Sequence, residues 1–185
     1  IKSYNLGGVL LYDLEMTQDP PGKRNIESPE QLKRLTTELQ KISTTPLFIS
    51  VDQEGGIVNR LTPEYGFPEF QSWEQIGRKT NFEETKTFSK LVSKTLKKAS
   101  INFNLAPVLD IKKKYQSAIS IEGRSISSEP QNIIRHSKIF IDEHRKNRIA
   151  TCGKHFPGQG SAIQDAHIET TDISETWNEY ELIPY

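Results

Sequence analysis

Residues 46–61 read PLFISVDQEGGIVNRL. An apolar run from Pro46 to Val51 stops abruptly at Asp52, Gln53 and Glu54, and Gly55 and Gly56 follow. A short run without polar alternation is the pattern of a strand covered on both faces, as in parallel sheets. The two glycines let the backbone turn sharply away from the sheet. The carboxylates therefore belong at the carboxyl end of a buried strand.

The same arrangement recurs to either side. Leu6 to Tyr12 (LGGVLLY) reads as an earlier strand. Ile101 to Val108 (INFNLAPV) reads as a third, ending in Leu109-Asp110. Ile149 to Phe156 reads as a fourth, running into Pro157-Gly158-Gln159-Gly160. Amphipathic stretches separate them. Ser28 as N-cap, Pro29 in the first turn and Gln31 closing a capping box open a helix to about Ser43. Residues 60–80 form a long proline-containing loop. Asn81 and Glu84 start a second helix whose apolar stripe is Phe88, Leu91, Val92, Leu96 and Ala99. Ser128 and Pro130 open a third, to about Lys146, carrying His136 and His144 on its face without an assigned role. Thr176 and Glu179 suit the start of a last helix.

Four β-loop-α units define an α/β chain with a parallel sheet and helices outside. A doubly wound open sheet and a (β/α)8 TIM-barrel type both fit, and both gather functional groups at the carboxyl ends of the strands. A complete barrel needs about 250 residues. The 185 residues present are therefore expected to be about the first half of one barrel domain. Its first strand and its C-terminal strands are expected to lie outside them. Such a piece has two open sheet edges. On its own it is expected to dimerise, aggregate or stay loosely packed.

Lysine plus arginine and aspartate plus glutamate balance at 24 each, which leaves no electrostatic footprint for nucleic acid or an anionic membrane. No apolar stretch reaches the roughly 18 residues of a membrane span. Cys152, the only cysteine, excludes an intramolecular disulfide framework and leaves the compartment open: bacterial cytoplasm, periplasm or secreted. Oligomeric state has no signature. The ligand is expected to be neutral or modestly charged.

The strongest local signal is Lys154-His155-Phe156-Pro157-Gly158-Gln159-Gly160 followed by Asp165-Ala166-His167. Lys154 and His155 at a strand end are either donors to substrate oxygens or solvated. On regular extended backbone they would point to opposite faces. Asp165 and His167 have the i, i+2 spacing that puts two side chains on one side of an extended segment. A carboxylate there fixes the imidazole tautomer and raises its basicity, which suits a general acid/base. The alternatives are a polar surface loop or two ligands of a metal without a third. Asp52 suits bidentate acceptance from sugar hydroxyls or a structural pair with Arg60. Asp110 reads as structural. Arg124 is a substrate clamp or solvated. No phosphate-cradling glycine pattern is present.

Together GGVLLY, PLFISVDQEGGIVNRL, INFNLAPVLDI, IEGRSISSEP and KHFPGQGSAIQDAH resemble successive strand-and-loop motifs of family 3 glycoside hydrolases. The branch is that of bacterial β-N-acetylglucosaminidases. The resemblance runs from about Leu6 to Tyr185. It implies hydrolysis of terminal β-linked N-acetylhexosamine, with a role in cell wall recycling, by a retaining mechanism needing no cofactor and no metal. It implies Asp52, Arg60, Arg124, Lys154 and His155 as sugar-binding residues, His167 as acid/base and Asp165 as its orienting partner. It also implies a nucleophile, an Asp on a later strand expected beyond residue 185, so these residues alone are expected to bind sugar weakly and hydrolyse nothing. Gln159 stands where the family usually has a second His, Ile57 where Arg is common, and the loop Ser161-Ala162-Ile163-Gln164 is not the commonest form, although it keeps the family's distance between the two motifs. Two rivals are a glycoside phosphorylase using the same site and a non-catalytic sugar-binding module.

Overall fold

The structure, a computed structural model, describes every residue except 16, 18, 80, 114–116 and 165–169. Four strands, β1 (Gly8–Leu11), β2 (Phe48–Val51), β3 (Phe103–Asn104) and β4 (Ala150–Thr151), form one sheet in the order in which they occur in the chain. All neighbours are parallel. Gly8 lies opposite Phe48, Ser50 opposite Phe103 and Phe103 opposite Ala150. Three helices link them, α1 (Pro29–Ile42), α2 (Phe82–Lys98) and α3 (Pro130–Lys146).

Sequential strand order separates the two candidate folds. A doubly wound sheet reverses its order at a switch point. Here each crossover steps the same way, and right-handed crossovers then put consecutive helices on one face. The helices do adjoin in sequence: Thr36 of α1 donates to the Ala99 carbonyl just after α2 at 2.7 Å. Thr85 of α2 meets His136 of α3 at 2.7 Å. The four units are thus an arc of a TIM-barrel-type fold.

The helix starts obey local chemistry. Ser28 accepts from the Gln31 amide at 3.1 Å. The Gln31 side chain, however, accepts from the Glu27 amide at 3.1 Å, one residue before the expected capping-box partner. Asn81 caps α2 by accepting from the Glu83 amide at 2.9 Å. Glu129, not Ser128, is the N-cap of α3 and makes no side-chain cap bond. On α2 the stripe Phe88, Val92, Leu96 and Ala99 is buried, while Leu91 is exposed. The expected loop at 60–80 contains a five-residue helix, Trp73–Gly77, opened by a capping box between Ser72 and Gln75. Near the C-terminus the helix is a 3-10 turn, Glu179–Leu182, capped by Asn178.

Both late strands are shorter than their apolar runs. Pro107 has no amide hydrogen for a ladder, and past the strands the pairing continues irregularly, through the Cys152 amide on the Ala106 carbonyl and a Val108–Lys154 bridge. Side chains also extend it. Asn102 accepts from the Ile49 amide at 2.7 Å and donates to the Leu47 carbonyl at 2.8 Å. Asn104 does the same for the amide and carbonyl of Gln53, both at 3.1 Å. Under the helices lies one core that includes Leu32, Ile49, Val51, Trp73, Val92, Leu96, Ile133 and Phe140.

Candidate active site

Past β2 the backbone folds back on itself as a small antiparallel ribbon, Gln53–Gly55 against Val58–Asn59. Gly55 has φ 95°, and a Cβ there would lie 2.2 Å from the Gln71 carbonyl oxygen, so only glycine fits. The Gln53 side chain is buried and accepts from the amides of Arg60 and Leu61 at 3.2 and 3.0 Å. The ribbon thereby brings Arg60 back over the strand end that carries Asp52. Arg124 follows Gly123, whose φ of 66° belongs to a turn fastened to the Trp73–Gly77 helix by the Glu74 amide. Lys154 and His155 leave the end of β4, joined by a cis peptide.

Tyr12, Asp52, Val58, Arg60, Arg124, Lys154 and His155 line one cavity of about 360 Å3. All five predicted sugar-binding residues are among them. Lys154 and His155 share this cavity, whereas regular extended backbone would have separated them. A predicted alternative fails: Asp52 is not paired with Arg60. The Lys154 ammonium lies 2.6 Å from Asp52 Oδ1 and 2.6 Å from Glu54 Oε1. Arg60 instead reaches Asp13 at 3.5 Å and stacks over the Tyr12 ring.

Arg124 is not a solvated arginine. Its Nε and Nη2 both donate to Glu54 at 2.9 Å, the fork-to-fork geometry that fixes a guanidinium plane. Nη1 donates to Glu122 at 3.2 Å, and Nη2 also reaches His155 Nε2 at 3.2 Å. Burial works against the charge of Arg124, but the hydrogen bonds and negative charge of Glu54, then those of Glu122, outweigh it and raise its pKa.

Asp110, read from sequence as structural, holds His155. It is 1% exposed. It accepts from the His155 amide at 3.1 Å, from the Gln159 amide at 2.6 Å and from His155 Nδ1 at 2.6 Å. With Nδ1 donating to the carboxylate, Nε2 is the acceptor that faces Arg124. Asp110 thus fixes the tautomer as well as the ring.

Sequence reasoning gave no role to Glu54, Tyr12 or Asp13. A signal for Glu54 was available: it stands two residues from Asp52 at a strand end, the spacing that puts side chains on one side. The predicted dyad, Asp165 and His167, lies outside the described residues. Among the described residues no cluster of three or more His, Cys, Asp or Glu side chains is placed to hold a metal. No helix among them is long and apolar enough to cross a membrane.

Parallel βα units in sequential order, with a polar cluster converging at the carboxyl ends of the strands, define the catalytic face of a barrel-type enzyme domain. Comparison narrows the class. The glycosyl hydrolase family 3 N-terminal domain matches residues 1–185, and the chain belongs to that family. A beta-hexosaminidase from Photobacterium profundum is 36% identical over 164 residues, covering 88% of this chain and 48% of the relative. One from Tolumonas auensis is 31% identical, covering 97% of this chain and 51% of the relative. The chain therefore spans about half the length of these curated relatives. Among solved structures, native NagZ from Neisseria gonorrhoeae is 27% identical with a TM-score of 0.76, covering 89% of this chain and 46% of that one. A fungal multi-domain family 3 beta-N-acetylglucosaminidase is 31% identical with a TM-score of 0.84, covering 98% of this chain and 21% of that one.

Proposed function

We infer that the protein hydrolyses terminal β-linked N-acetylhexosamine, above all N-acetylglucosamine, and that residues 1–185 supply the sugar-binding part of one barrel domain. The observation that carries this is the convergence of Asp52, Arg60, Arg124, Lys154 and His155 on one cavity. Its volume of about 360 Å3 falls within the range of small-ligand pockets. A structure of NagZ in complex with N-trifluoroacetyl-D-glucosamine, 27% identical to this chain with a TM-score of 0.76, accords with an amino-sugar ligand.

The charge pattern favours a neutral sugar. Each cation already faces a carboxylate: Arg124 faces Glu54, Lys154 faces Asp52 and Glu54, and Arg60 faces Asp13. Little positive charge is left for a free phosphate, which supports a hydrolase over a phosphorylase.

The chemistry has two displacements. His167, as imidazolium, protonates the leaving oxygen while an Asp from a later strand attacks the anomeric carbon. The glycosyl-enzyme is then opened by a water that His167 deprotonates. A reference pKa of about 6.5 suits both roles, and Asp165 stabilises the charged ring. Asp52, whose Oδ2 takes no hydrogen bond from the described residues, accepts from sugar hydroxyls. Arg60, Arg124 and Lys154 donate to sugar oxygens. Bonds that tighten in the oxocarbenium-like transition state contribute to rate.

The test is His167→Ala in the intact protein on two N-acetylglucosaminides. Turnover of the unactivated glycoside should fall by about 100- to 10,000-fold. Glycosylation by a nitrophenyl glycoside, whose leaving group needs less protonation, should fall far less. Equal losses where glycosylation limits both rates would remove the acid role. Turnover that requires phosphate would replace hydrolysis by phosphorolysis.

A further inference from the structure

The carboxylates of the cavity fall into two kinds. Asp52 lines it, with one oxygen on Lys154. Glu54 does not line it. Its side chain is 2% exposed, and both oxygens are taken: Oε2 by Arg124 Nε, and Oε1 by Arg124 Nη2 and the Lys154 ammonium. A carboxylate this deep is costly unless it is paired and hydrogen-bonded, and here it meets two cations at once.

Those cations need it in turn. Arg124 and Lys154 are drawn into one cavity with side chains only 12% and 14% exposed. Without a shared counter-charge they would repel each other. Arg124 has five N–H donors. Two bonds go to Glu54, one to His155 and one to Glu122. Lys154 has three, and Asp52 and Glu54 take two. Counted over the described residues, each cation keeps one N–H for a ligand in a cavity that both line.

We propose that Glu54 is a positioning residue for sugar recognition. It never touches the sugar but locks Arg124 and Lys154 so that one donor from each faces the cavity. Its bidentate grip fixes the guanidinium plane, and through Arg124 it sets the partner of His155 Nε2. This rests on the sugar-binding reading above.

The experiment uses the intact protein, with Glu54→Gln and Glu54→Asp, measured well below their unfolding midpoints. The readouts are kcat and KM on a nitrophenyl N-acetylglucosaminide and the calorimetric Kd for N-acetylglucosamine. A misplacement of about 1 Å costs roughly 100-fold, so Glu54→Gln should lower kcat/KM about 100-fold and weaken sugar binding in parallel. Glu54→Asp keeps the charge but is one methylene short, and it should not restore the rate. In an Arg124→Gln background Glu54→Gln should add about ten-fold or less, because one of its two targets is gone. A residue that only supports the fold would show its full cost in both backgrounds. Full additivity, or Glu54 variants with parental kcat/KM and Kd, would overturn the proposal while leaving the functional reading intact. A parent that neither hydrolyses the glycoside nor binds the sugar would overturn both.

Discussion

The cavity at the strand ends and the aromatic layer between α2 and α3 both bury titratable side chains, in opposite ways. At the cavity Glu54, Arg124 and Lys154 each lie within 2.9 Å of a side chain of opposite sign. In the aromatic layer His136 and His144 are pressed towards neutrality. Burial alone lowers the pKa of His136. Burial lowers that of His144 to about 4, against the opposing pull of the Phe140 carbonyl and Glu143. Phe140 stacks on His144 at 4.0 Å and meets the edge of Trp73 at 5.4 Å. One layer spends burial on preorganised charge, and the other spends it on packing.

The regions meet at Asn104. Its Nδ2 donates to His144 Nε2 at 3.1 Å and to the Gln53 carbonyl at 3.1 Å, between Asp52 and Glu54. His144 Nδ1 donates in turn to the Phe140 carbonyl at 2.8 Å. The core therefore supports the strand end through a neutral histidine in one tautomer.

Truncating the packing should break one region and spare the other. Phe140 is 1% exposed, and Phe140→Ala should cost about 3–5 kcal/mol. Denaturant unfolding of the intact protein measures this. The kcat/KM per folded molecule should stay within a few-fold, and a large specific loss would mean that the layers are not separable.

Titrating His144 probes the join. It is neutral in the fold down to about pH 4, while the unfolded chain takes up the proton near pH 6.5. Its contribution is complete above about pH 6.5 and is lost as pH falls towards 4, over which stability should drop by roughly 3 kcal/mol. His144→Gln should flatten that part of the profile. An unchanged slope would show that other groups carry it.

Asp110→Asn sharpens the contrast from the side of the cavity. One amide oxygen cannot accept from His155 Nδ1 and from the His155 and Gln159 amides as two carboxylate oxygens do. With the ring and tautomer released, kcat/KM should fall by about 10- to 100-fold. Steady-state kinetics across pH checks this, and a profile unchanged in height and shape would remove Asp110 from the positioning of His155.

Much of this was legible in the residues. Strand, loop and helix follow from apolar periodicity and from the caps at Ser28 and Asn81, because those signals are local. Asp52, Arg60, Arg124, Lys154 and His155 stood out because polar groups at the ends of apolar strands have few structural reasons to be there, and the resemblance to a family named their roles. The Trp73–Gly77 helix was hidden in a proline-containing stretch, since five residues leave too few turns for a period to show. The exposure of Leu91 was equally invisible, because periodicity gives a face and not its edge.

The choice between a singly wound arc and a doubly wound sheet belonged to the tertiary structure, because both are written with the same alternation of strands and helices. So did the pairing. From sequence Asp52 had Arg60 eight positions away and Asp110 had no partner at all. The fold gave Asp52 to Lys154, Arg60 to Asp13, Glu54 to Arg124 and Asp110 to His155. Charges pair across space and not along the chain. Residues 45 to 102 positions apart become neighbours only when parallel strands bring their carboxyl ends to one face, and that face sets which buried charge has a partner.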